Sequence, residues 1–258
     1  MPTRKLKFGK LPPKKNRNTL SLKKYLLKGK GVLPPPEERR GWEMAVKDDA
    51  WGLLGNDVLG DCVIAATLHW VQAATAVNGR PVTFTTEQAI EIYSAVTGYD
   101  PKQTNQFGDN PTDQGTAWTD MLEYWRVVGV FGHKISAWAK IDYKDLNAIR
   151  QGIDIFGGIL IGTAVTGSMQ QQFADGKPWN KPWKGGVEGL HGIPWLGHGK
   201  EGQTCITWGA RQQMDLTANK MCDEAYCVIT EDWLNSAFVT PLGINAAALA
   251  ADIEALRV

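Results

Sequence analysis

Apolar residues in this chain follow a helical period first and a strand-like pattern later, and that order limits the folds open to it. Residues 62–77 place Val63, Ala66, Trp70, Ala73 and Ala74 at helical spacing. Residues 86–97 repeat the pattern with Ala89, Ile90 and Tyr93, and Thr86 is the expected N-cap. A turn-rich loop is expected over 98–115, then a third helix over 116–128 stopped by Gly129, and a short fourth over 143–153. The pattern then changes. Residues 158–165 form a short apolar run bounded by glycine, as in a buried strand, and 191–196, 204–208 and 225–229 read as further strands. Residues 166–190 read as a glycine- and tryptophan-rich loop. Helices before strands predict an α+β fold rather than βαβ alternation.

The first 40 of the 258 residues differ from the rest. They hold 13 Lys and Arg against two acids, a charge of +11, while the remaining 218 residues carry 15 basic and 25 acidic side chains, or −10. Pro12-Pro13 and Pro34-Pro35-Pro36 favour extended chain, with room for a short helix near residues 21–27. Residues 1–40 are therefore expected to be a basic extended arm on a domain spanning 41–258. Such an arm suits an acidic protein surface, nucleic acid, or no fixed partner. Its few aromatics (Phe8 and Tyr25) disfavour base stacking. By analogy with assembly proteins of viral shells, it also suits a large homo- or hetero-assembly. No apolar run has the length of a signal or a membrane span, so a cytoplasmic or virion-associated protein without membrane contact is expected.

Cys62, Cys205, Cys222 and Cys227 include no Cys-x-x-Cys pair, and with His191 and His198 they lack zinc-site spacing. Neither a metal nor a cofactor is expected. Asp223-Glu224 could offer a metal site, but two adjacent carboxylates at a strand entrance read more simply as a solvated edge.

Cys62 has a different setting from the other thiols, which read as buried. It stands where a glycine turn (Gly55, Gly60) passes into the helical run. The positive end of a helix lowers a thiol pKa and favours the reactive thiolate. Asn56, six residues upstream, carries an amide able to donate to an oxyanion. Asp61 reads as the helix N-cap. A thiol nucleophile also needs a base, and His191 and His198 both lie on or beside a predicted strand. His69 and His133 read as structural.

These pieces together resemble the papain-like cysteine peptidases. Asn56-x-x-x-Gly60-Asp61-Cys62 resembles that family's Gln and Gly-Ser-Cys nucleophile motif. Asp113-Gln114-Gly115 before a helix with Leu122, Tyr124 and Trp125 is similar to its second helical region. Gly157-Gly158-Ile-Leu-Ile is similar to its first barrel strand. His191, with Gly197 and Gly199 following, is similar to its histidine strand, and Thr207-Trp208-Gly209 to its Ser-Trp-Gly. The resemblance covers residues 50–235 in the family's order. It implies a helical half carrying Cys62 packed on an antiparallel half carrying His191, with a cleft between them. It further implies a thiol hydrolase of peptide or amide bonds. Cys62 would be the nucleophile, His191 the base and acid, and Asn56 with the Cys62 amide the oxyanion hole. Thr207 and Trp208 would support them, Trp208 covering the histidine. Three departures stand out. Ile206 occupies the place of the family's orienting Asn, Asn56 is one methylene shorter than Gln, and the family's long propeptide has no counterpart of similar length. The departures and the +11 arm motivate an alternative, a non-catalytic structural or assembly protein with a papain-like core.

Overall fold

The computed structural model describes residues 6–14, 21 and 35–233. Of the predicted helix near 21–27, all but Ser21 lies outside the described residues. Among the described residues there are five α-helices and one antiparallel sheet. Helices α1 (Cys62–Val77), α2 (Thr86–Thr97) and α3 (Trp118–Val127) come first, followed by α4 (Leu146–Phe156) and α5 (Gly167–Ala174). The strands are β1 (Arg40–Gly41), β2 (Ile135–Lys140), β3 (Ile159–Thr166), β4 (Val187–His198), β5 (Gly202–Thr207), β6 (Ala210–Asp215) and β7 (Cys222–Thr230). They run in the order β2-β7-β3-β4-β5-β6, with β1 against β4.

Alternation along the central strands explains how this sheet is buried on both faces. Leu160, Leu196, Ile206 and Val228 join the cluster built around α1–α3. Their neighbours Ile159, Ile161, Trp195, Cys205 and Cys227 join a second cluster with α4 and α5. Successive strand side chains point to opposite faces, so each strand feeds both cores. Helix α1 is central: every residue from Cys62 to Thr75 is buried. It approaches β4 closely because Gly192 has no side chain. A Cβ there would stand 3.0 Å from Val63 Cγ2 and 3.1 Å from Trp118. This contact brings the start of α1 beside the middle of β4.

Local signals set most boundaries, and some differ from expectation. The cap of α2 is Thr85, not Thr86. Its hydroxyl accepts from the Gln88 amide while Gln88 Oε1 accepts from the Thr85 amide, a reciprocal capping box. Helix α4 starts at Leu146 because Asp145 caps it, and Gly157, at φ +80°, ends it. The loop expected over 166–190 contains α5, capped by the Thr166 hydroxyl. Strands β2 and β6 were not expected either: β2 is rich in alanine and β6 in polar residues. Helix-then-strand order therefore holds only approximately, since β2 precedes α4.

The end of the arm is tied to this body. Asp154, on α4, accepts hydrogen bonds from His198 Nε2 (2.9 Å), Arg40 Nε (3.0 Å) and the Glu37 amide (2.9 Å). Burial alone would raise the Asp154 pKa; these bonds outweigh it and leave the carboxyl below its ordinary value. A lowered carboxylate adds stability above its unfolded pKa and loses it as pH falls through the folded value. Asp154→Asn is therefore expected to cost ~3 kcal/mol at pH 7. The gap to wild type should narrow on acidification toward pH 3, as read by urea unfolding at the two pH values. An equal gap at both would show that the carboxylate charge is not what matters.

Candidate active site

Cys62 is the first residue of α1, and Asp61 holds the cap position. The Asp61 side chain makes no cap hydrogen bond. Both its oxygens are buried without a partner, and burial, with Asp113 nearby, pushes its pKa well above the carboxylate range. Asp61 is thus a cap by position but not by side chain.

The Gly192 amide donates to Cys62 Sγ at 3.3 Å. His191, one residue earlier on β4, is held from its far side: Nε2 lies 2.8 Å from Thr207 Oγ1, and the Trp208 ring stacks on the imidazole at 4.6 Å and 19°. The other ring nitrogen, Nδ1, is buried and has no hydrogen-bond partner. Strand parity explains why Thr207 and not Ile206 meets the ring. Ile206 belongs to the cluster on the α1–α3 face, while Cys205, two residues before Thr207, belongs to the other. Asn56 sits in the turn before α1, buried, with Oδ1 unpartnered. Cys62 thus meets β4 at Gly192, next to His191, whose ring is held by Thr207 and Trp208, while Asn56 lies in the turn before α1.

Structural comparison bears on the fold that holds these residues. A cysteine protease of Xylella fastidiosa, xylellain, superposes with a TM-score of 0.62 at 12% identity, covering 89% of this chain and 98% of that one. The ragweed pollen allergen Amb a 11, a cysteine protease in its proform, gives 0.52 at 14% identity, over 80% of this chain and 69% of that one. Procathepsin B S9 of Trypanosoma congolense gives 0.53 at 10% identity, over 86% and 83%. This chain has the papain-like fold. No protein-family model matches the sequence, and no curated protein matches it either.

Residues 6–14 run between the turn before α1 and strand β4. Gly9 passes between Gly60 and Gly115 with no room for a side chain: a Cβ on Gly9 would stand 1.8 Å from Gly60 O, and one on Gly115 2.0 Å from Gly9 O. The arm pairs in parallel with the chain at Thr116. The Thr116 amide donates to Gly9 O (2.8 Å), and the Leu11 amide donates to Thr116 O (3.0 Å). On the opposite wall the Lys10 amide donates to Leu190 O (3.3 Å). The Gly9 amide lies near enough to the Cys62 sulfur to favour its thiolate, and Phe8 meets the His191 ring edge-on at 5.7 Å. Three lysines of the arm find acids of the body: Lys7 with Asp113, Lys10 with Asp223 and Glu224, and Lys14 with Asp120.

This cover changes the chemistry of the pair. Both Cys62 and His191 are fully buried. Burial pushes the Cys62 thiol up to about 11, against the lowering effect of the Gly192 and Gly9 amides. It pushes His191 down to about 3. The expectation of a thiol activated by its helix end is therefore corrected for this state. Loss of water outweighs the helix charge, and the pair is held neutral.

The remaining histidines have partners of their own. His198 is held by Asp154. His69 Nε2 faces the carbonyls of Trp51 and Gly52, and burial lowers its pKa to about 4. His133 contacts Asp232. Cys205, Cys222 and Cys227 are free and buried. The expectation for Asp223-Glu224 is corrected: Glu224 is 1% exposed, not a solvated edge. Among the described residues no cluster of His, Cys, Asp or Glu has metal-site geometry. Nor is any described helix long and apolar enough to cross a membrane.

Proposed function

We propose that the chain is a latent thiol hydrolase of peptide or amide bonds, with Cys62 and His191 as its working pair and residues 6–14 as its cover. The placement of His191 carries this reading. With Thr207 Oγ1 accepting from Nε2–H, Nδ1 is left unprotonated and free to take the Cys62 proton. The thiolate then attacks the substrate carbonyl, and the oxyanion is met by the Cys62 amide and the Asn56 side chain. The imidazolium returns the proton to the leaving amine, and water hydrolyses the acyl-enzyme by the same pair in reverse. The likeness to cysteine proteases supports the fold in which this chemistry is known, and Trp208 supports the ring from one face.

The alternative, a non-catalytic assembly protein anchored by its basic arm, has to find its anchor outside residues 6–14. Lys7, Lys10 and Lys14 are already spent on acids of the same chain, which leaves less of the arm's charge for nucleic acid or a partner.

The test uses the full chain carrying Gly9→Ala, which cannot seat its arm, alone and with Cys62→Ala or His191→Ala. Cys62 is expected to react with iodoacetamide at pH 7 faster than N-acetylcysteine, and a fluorogenic peptide amide to be cleaved. Either second substitution should remove cleavage by at least ~100-fold. A Cys62 no faster than the free thiol, with His191→Ala changing nothing, would end this reading.

A further inference from the structure

Lys10 is the most deeply enclosed cation of the described arm. Its side chain has no exposure, and Nζ sits 2.8 Å from Asp223 Oδ2 and 2.7 Å from Glu224 Oε1, while donating to Leu11 O at 3.1 Å. The pocket is built for a long stem. On β3, Gly162 stands under it, and a Cβ there would be 2.1 Å from Lys10 Cε and 2.3 Å from Asp223 Oδ1. Glu224 is fixed from behind by the Tyr226 hydroxyl, which donates to Oε2 at 2.6 Å. Asp223 Oδ1 is buried with no hydrogen-bond partner. Two carboxyl groups therefore face one ammonium. Its position also matters. The occupant's neighbour, Gly9, packs against Gly60, two residues before Cys62, and the Lys10 amide donates to Leu190 O, one residue before His191.

We infer that the Gly162–Asp223–Glu224 pocket is a selectivity site for a basic side chain, filled here by the chain's own Lys10, and that the substrate it serves is a peptide presenting a lysine beside the bond at Cys62. The substrate half rests on the hydrolase reading; the cation pocket stands on geometry alone. Replacing the cation by a neutral side chain leaves the enclosed Glu224 without its partner at Oε1 and the part-exposed Asp223 without its partner at Oδ2, so a neutral side chain of equal length is rejected. Gly162 admits the stem, the acids select the charge, and the arm competes with substrate for both.

The probe is n-butylammonium, which reproduces the lysine side chain from Cβ outward. In the full chain carrying Lys10→Ala, millimolar butylammonium is expected to raise Tm by several degrees and n-butanol to leave it unchanged. Wild type and the Lys10→Ala/Asp223→Asn/Glu224→Gln variant should not respond. A second measurement uses the full chain carrying Gly9→Ala, whether or not Lys10→Ala folds. Acetyl-Phe-Gly-Lys-Leu-amide should protect Cys62 from iodoacetamide at least tenfold more strongly than the same peptide with norleucine for lysine. Equal protection by the two peptides, or a Tm gain shared by butanol, overturns the pocket. Protection by the lysine peptide without any cleavage of lysine amides leaves the pocket standing and removes the hydrolase reading instead.

Discussion

Gly9→Ala is expected to turn a silent thiol into a reactive one. The new methyl would meet Gly60 backbone atoms at 1.8–2.2 Å, distances that no adjustment of a side chain relieves. The arm must lift, and water reaches Cys62 and His191. Burial is the largest cause of both pKa shifts, so both groups move back toward their ordinary values. At pH 7 a thiol held at about 11 is ~0.01% thiolate, against about 3% for an ordinary cysteine. A gain of ~300-fold in alkylation follows from ionisation alone, before access is counted. The sign with pH follows as well. Wild-type labelling should climb only as pH approaches 11, whereas the variant should label well below that. Mass spectrometry of the iodoacetamide adduct between pH 6 and 10 reads both, with buried Cys205, Cys222 and Cys227 as internal controls. Matching rates for the two proteins across that range would mean that the arm does not cover the thiol in solution.

Thr207→Val should leave the shape of the site and remove what orients it. Valine fills the same volume but offers no partner to His191 Nε2, which is fully buried. An orphaned buried donor costs ~1–3 kcal/mol. Where the ring's orientation and tautomer decide the reaction, the same energy appears as a ~10–100-fold loss in kcat. On the Gly9→Ala background, kcat for a peptide amide should fall by that factor with KM nearly unchanged, and Thr207→Ser should recover most of it. A loss shared by the valine and serine variants would point to packing under Trp208 rather than to the hydroxyl.

The parts of this molecule legible in its sequence are those that short-range chemistry specifies. The run from Cys62 to Val77 carries its own period and its glycine turn, so its span was clear. The bounded apolar stretch around Ile159–Thr166 was equally plain. Strands β2 and β6 were hidden because alanine and glutamine fit a sheet only when the neighbouring strand is already there. Helix α5 was hidden by the glycines and tryptophans around it. At the candidate site, the pairing of Cys62 with the His191 strand was readable through the order of motifs. Thr207 was visible only as a neighbour of the expected position, since parity in β5 depends on which face the completed sheet turns to each core. The Lys10 pocket was not readable at all. Its lysine and its acids are more than 200 residues apart, and a run of basic residues looks the same whether it meets its own chain or another.

The arm is held on one body by residues 6–14 beside the start of α1, by Ser21 against Lys140 and by residues 37–40 at Asp154. The cover therefore never leaves the neighbourhood of the thiol, and its hold does not depend on how strongly nine residues would bind by themselves. A single cut between these points breaks no contact described above, yet it changes the bookkeeping of the whole equilibrium. The cover becomes a separate molecule, its return becomes a second-order event, and the state of the thiol becomes a function of dilution.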